Sequence, residues 1–205
     1  MGQKIVVVGN GDIPDGANEL IDVADLVIRF NDCRSFGRGG VKTDIVAVCN
    51  TGRPGKSMSE EPQWRSLQPV QAASTIWSVR DPAKFLDMRS GLKVSNPELD
   101  DFCEDYSDAF AVIASDNGKQ HQIISRDIHE RADGFLAAYS PKPYICPSSG
   151  LIAIFQVLDM AAKDQAQVFI TGFGHQGWAG HPFQAEKQLV DTFASEGKLV
   201  RISIE

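Results

Sequence analysis

Apolar residues fall into short runs separated by Gly, Pro and polar clusters. Residues 5–8 form a continuous, largely β-branched run that stops at Gly9-Asn10-Gly11, which predicts a strand buried on both faces, as in a parallel sheet. Residues 26–30, 44–48 and 75–79 repeat the pattern, and 110–114 offers a fifth strand. Between the first two lies a short helical stretch, 18–24, so the chain opens with a βαβ rhythm. A helix is expected over 122–139. Pro143 and Pro147 then force extended chain, and Ser148 and Ser149 supply an N-cap for an apolar helix over 151–163. Residues 168–171 read as a strand running into Gly172-Phe173-Gly174. Pro182 opens a last helix that Gly197 stops, and 199–204 alternates as a closing strand. The stretch 51–71, rich in Gly, Pro, Ser and charge, reads as a mobile loop near a site. The sum is a single α/β domain over residues 1–205, with a mostly parallel sheet flanked by helices.

Composition narrows the function. Twenty Lys and Arg against 27 Asp and Glu give a formal charge of -7, which disfavours nucleic acid as a partner. No apolar run reaches the ~20 residues of a membrane span, and the start is too short and too soon broken by Gly9 to be a signal peptide, so a cytoplasmic protein is expected, with peripheral membrane contact left open. Cys33, Cys49, Cys103 and Cys146 form no CxxC pair and are expected to be free thiols in packing roles.

Three places could carry chemistry. The Gly9-Asn10-Gly11 turn after the first strand would let backbone approach an anion, or would simply be a tight turn with no ligand. It lacks the third glycine of a dinucleotide fingerprint, having Pro14 there, and Asp12 and Asp15 would lie beside the phosphates; a dinucleotide-dependent oxidoreductase is therefore the weakest of the readings kept. Ser148-Ser149-Gly150 at a helix start could bind an anion or merely cap. His181, with an ordinary pKa of ~6.5, suits proton removal near neutrality, or caps the last helix. His175 alone beside it makes no transition-metal site, so no metal is expected.

The order and wording of these pieces resemble the family 29 glycosyltransferases, the sialyltransferases. Residues 7–11 (VVGNG), 21–31 (IDVADLVIRFN) and 40–44 (GVKTD) resemble the family's large motif; 147–155 (PSSGLIAIF) and 168–174 (VFITGFG) resemble the two halves of its small motif; His181 followed by Glu186 matches its very small motif. The resemblance implies a Rossmann-like, GT-A-variant domain that uses a CMP-activated acidic sugar (sialic acid or Kdo), inverts, and needs no metal or other cofactor. It places donor contacts on Gly9, Asn10, Gly11, Asn31, Ser148, Ser149, Gly150, Gly172 and Gly174, and the catalytic base on His181, with Glu186 and His175 in support. A glycan or glycolipid hydroxyl would be the acceptor. The chain departs from the family in having Gln3-Lys4 where secreted members carry a Cys for a disulfide, and in showing only 174–180 where a third motif is expected. Short bacterial proteins of this kind are also labelled urease operon accessory proteins, which implies the rival reading, a non-catalytic binder of a CMP-sugar.

Overall fold

The computed structural model describes residues 2–202. Its strands are β1 (Lys4–Val8), β2 (Leu26–Phe30), β3 (Ile45–Val48), β4 (Thr75–Ser78), β5 (Gln120–Ile123), β6 (Gln167–Thr171) and β7 (Val200–Arg201). They form one sheet in the order β5-β4-β3-β2-β1-β6-β7, with every pair parallel. The helices are α1 (Ala17–Asp22), α2 (Gly52–Glu60), α3 (Pro62–Ser66), α4 (Gln68–Ala72), α5 (Pro82–Ser95), α6 (Ser107–Asp116), α7 (Arg126–Ala137), α8 (Ser149–Asp164) and α9 (Phe183–Ser195). This is a Rossmann-like α/β architecture. Strand order reverses between β1 and β6, and in such sheets a ligand crevice forms beyond the carboxyl ends of the strands at that switch point.

The sheet is covered on both faces, which explains the unbroken apolar runs. On β1, Ile5 and Val7 pack with α7, α8 and α9, whereas Val6 and Val8 pack with Ile13, Ala17 and Ile21 around α1. Farther along the same face as Val6, Val46, Val48 and Ile76 pack with Met58, Trp64, Val70 and the α6 residues Phe110 and Ile113.

Four expectations are corrected. Residues 110–114 are helical: Ser107, Phe110, Ile113 and Ala114 are buried at helical spacing, and the fifth strand is instead Gln120–Ile123, a polar edge strand. That strand also takes the start of the helix expected over 122–139, which begins at Arg126. The stretch 51–71 is three short helices, two of them opened by a proline in the first turn. The closing strand expected over 199–204 is Val200–Arg201, and residues 203 and 204 of that expectation lie outside those described.

Candidate active site at the strand switch point

A cleft of about 540 Å³ opens where the chain leaves β1, β2, β3, β4 and β6. It brings together Gly9, Asn10, Gly11, Asn31, Ser148, Ser149, Gly150, Gly172, Gly174, His175, His181 and Glu186, which come from both ends of the chain.

The glycines around the switch point have a structural explanation. Gly9 N–H donates to Thr171 O and Gly11 N–H to Gly172 O, each at 2.8 Å, so the loops after β1 and β6 are hydrogen-bonded to one another. A Cβ on Gly9 would stand 2.3 Å from Gly172 O, and one on Gly172, at φ 72°, would stand 2.7 Å from Gly9 O. Glycine is required here for backbone to pass backbone, and the amides of Gly9 and Gly11 are already taken. Gly174 has no such requirement; a Cβ there meets nothing nearer than 3.4 Å.

Asn10 and Asn31 are largely held by the fold. Asn10 Nδ2 donates to Phe30 O at 3.1 Å, and its Oδ1 accepts from Arg34 N–H at 3.0 Å, tying the first loop to the end of β2. Asn31, at φ 52°, accepts Cys49 N–H on Oδ1 at 2.9 Å and the Trp64 indole N–H on its carbonyl at 2.9 Å. Only its Nδ2 is left for a ligand.

At the start of α8, Ser148 Oγ accepts Leu151 N–H at 3.2 Å, an N-cap bond as the sequence predicts. Ser148 itself is engaged by Glu186 of α9: its N–H donates to one carboxylate oxygen at 2.6 Å and its hydroxyl to the other at 2.7 Å. Glu186 therefore fixes the start of α8 rather than of its own helix. Burial pushes its carboxyl up from the ordinary value, an effect the Ser148 donors and the nearby Arg80 reduce. The amides of Ser149 and Gly150 are the first two of a 16-residue helix and have no partner inside it, so they remain open to the cleft.

His181 sits in the loop before α9, with its ring edge-on to Trp178 at 4.9 Å and to Phe183 at 5.3 Å. Its Nδ1 is 2.8 Å from Cys146 O; a carbonyl only accepts, so Nδ1 carries the hydrogen and Nε2 the lone pair. Burial, helped by the charge of Arg80, pushes the imidazole down to about 4, so it is neutral at pH 7. His175, at φ 47°, instead accepts from the Arg201 guanidinium at 3.1 Å and is likewise lowered to about 4, chiefly by burial. Arg201 stands on the edge strand β7.

The cleft also contains residues that sequence reasoning passes over. Arg80 lies just beyond β4, and Trp178, 39% exposed, stacks on Phe102 at 5.3 Å beside His181. A single Arg after an apolar strand was the only signal for the first. All four cysteines are free thiols. Among the described residues no group of three or more His, Cys, Asp or Glu is placed to hold a metal ion, and no helix is long and apolar enough to cross a membrane.

The urease operon 23 kDa accessory protein of Rhizobium meliloti (strain 1021) is 48% identical over 201 residues, which span 98% of this chain and 93% of that protein. The chain belongs to the family of that accessory protein. No family model matches it. The fold of this accessory-protein family member is similar to that of a mammalian sialyltransferase, with a TM-score of 0.59 at 17% identity over 100% of this chain and 70% of that one. A mammalian sialyltransferase in complex with Gal-beta-1-3GalNAc-ortho-nitrophenol matches with a TM-score of 0.56 at 19% identity, over the same shares of the two chains.

Proposed function

We propose that the protein transfers an acidic sugar, sialic acid or Kdo, from its CMP-activated donor to a glycan or glycolipid hydroxyl, with inversion and without a metal. One observation carries the reading. His181 is held as the Nδ1–H tautomer by Cys146 O, leaving the basic Nε2 in the same cleft as the open first turn of α8. In the proposed step the acceptor oxygen forms a bond to the anomeric carbon as its proton passes to His181 Nε2. The bond from that carbon to the phosphate oxygen breaks, and CMP leaves with the electron pair. The α8 amides of Ser149 and Gly150, and Asn31 Nδ2, are the donors available to the departing group. Burial lowers the imidazole to about 4, so Nε2 is unprotonated throughout the neutral range and free to accept, although it is there a weaker base than an ordinary imidazole.

The name of the 48%-identical relative supports a second reading, a non-catalytic binder of a CMP-sugar that acts as an accessory protein. A dinucleotide cofactor is disfavoured because the Gly9 and Gly11 amides, which would meet its phosphates, bond Thr171 O and Gly172 O. Calorimetry and thermal shift with CMP, CMP-sugars and NAD test the reading. Stabilisation by cytidine ligands, growing as RT ln(1 + [L]/Kd), is the expected result. No binding of any cytidine nucleotide at millimolar concentration would overturn both cytidine readings, and stabilisation by NAD alone would favour the oxidoreductase.

A further inference from the structure

Arg80 is 2% exposed, yet it is among the residues that line the cleft. Its Nη1 donates to Pro147 O at 2.8 Å, and its guanidinium lies 5.2 Å from the centre of the Phe85 ring. Its Nε is buried with no partner. Among the described residues it forms no ion pair, and the groups closest in charge do not supply one. Both oxygens of Glu186 accept from Ser148. The Cys146 thiol, pushed up to about 11 by burial, is neutral, and Cys49, a free thiol, is a side-chain hydrogen-bond partner of Arg80 and forms no ion pair with it. His129, behind Phe85, is pushed down to about 4 by burial and by Arg80 itself, so it too is neutral.

A buried guanidinium has no escape by deprotonation, and a buried charge without an opposite charge beside it is costly enough that folds rarely retain one idly. The side chain is bonded to the residue before Ser148, which puts it beneath the α8 first turn, whose amides and dipole also favour negative charge. We propose that Arg80 binds an anionic oxygen group of the ligand, a phosphate or a carboxylate, and so decides that the ligand must carry one. The identity of that ligand rests on the transferase reading above; the requirement for an anion does not. On a chain of net charge -7, this pocket would give negative ligands a place to bind that the surface at large denies them.

The test compares the parent protein with Arg80→Met, which keeps length without charge, by calorimetry with CMP, cytidine, free N-acetylneuraminate and free Kdo. A charge-assisted pair removed from a desolvated site should weaken the anionic probe roughly 10- to 100-fold while cytidine, which has no anion, binds unchanged. Loss confined to CMP assigns the phosphate to Arg80, and loss confined to the free sugars assigns the carboxylate. Unchanged affinity for every anionic probe in a folded variant would overturn the proposal, as would equal loss for cytidine, which a purely structural role predicts. Where the Met variant does not fold, Arg80→Lys serves: it keeps the charge but not the planar fork, and should bind the anionic probe about three- to tenfold more weakly with cytidine unchanged. Affinity equal to the parent's would count against the proposal. If the parent binds no cytidine nucleotide, the transferase reading falls, and inorganic phosphate decides the anion site alone. Phosphate should then raise the melting temperature of the parent above that of a chloride control at equal ionic strength, and an equal rise in Arg80→Met would overturn the proposal.

Discussion

Replacing Glu186 by alanine should destabilise the protein more than any other single change at the cleft. The carboxylate is 1% exposed and joins α9 to the first turn of α8 through two short bonds, 2.6 Å from Ser148 N–H and 2.7 Å from the Ser148 hydroxyl. Hydrogen bonds to a charged group contribute about 1.5–3 kcal/mol each, but burying the carboxylate offsets part of that gain. Alanine also leaves the Ser148 amide without its acceptor and opens a small void beside Leu189 and Ala185. A net loss of about 3–5 kcal/mol follows. At about 2–4 °C per kcal/mol for a chain of this size, the melting temperature should fall by roughly 10 °C. Glu186→Gln keeps one acceptor oxygen and should lose about 1–2 kcal/mol. Urea denaturation followed by circular dichroism, with exposed Glu196→Ala as a control near zero, makes the measurement. An unfolding free energy for Glu186→Ala within 1 kcal/mol of the parent's, on the scale of an ordinary surface change, would refute the clamp between the two helices.

Gly9→Ala and Gly172→Ala set Cβ against backbone at 2.3 and 2.7 Å and should each cost more than about 2 kcal/mol in thermal unfolding, whereas Gly174→Ala should stay within about 0.5 kcal/mol. Acidification should destabilise the fold through its buried imidazoles. His129, fully buried and pushed down to about 4, holds fewer protons folded than unfolded between about pH 6.5 and 4, so its contribution is complete above pH 6.5 and falls away as pH drops through that window. From 6.5 to 5 this amounts to about 2 kcal/mol at 1.36 kcal/mol per pH unit, and His129→Gln should flatten the fall in urea titrations; an unchanged slope would refute it. Transfer or donor hydrolysis should survive EDTA, and loss on chelation with recovery on magnesium or manganese would contradict the metal-free reading.

Much of the fold was legible because β1, β2, β3 and β6 are covered on both faces, which leaves β-branched runs that the chain cannot hide. The edge strand Gln120–Ile123 was not, since its first three residues, Gln120, His121 and Gln122, are polar and the single Ile123 makes no apolar pattern. In the helix Ser107–Asp116, Phe110 to Ala114 gave an apolar run short enough to be read as a strand. At the cleft, residue types that perform local tasks were found from sequence: Ser148 caps, and Gly9 and Gly11 let neighbouring backbone approach closely. Arg80 was missed because nothing local distinguishes a buried guanidinium from a solvated one; beside Phe85 of the following helix, the chain that covers it is α7 and the segment around Pro147, far off in sequence.

The most direct test of the central claim is turnover of CMP-sialic acid or CMP-Kdo, read as CMP release, by the parent and by folded His181→Ala. With Nε2 as base, the variant should be slower by roughly 10²–10⁴ while its CMP affinity stays nearly the same. Parent-like turnover by the variant, within a few-fold, would contradict His181 as the base. CMP binding without turnover by either protein would replace the transferase with a sugar-nucleotide-binding accessory protein.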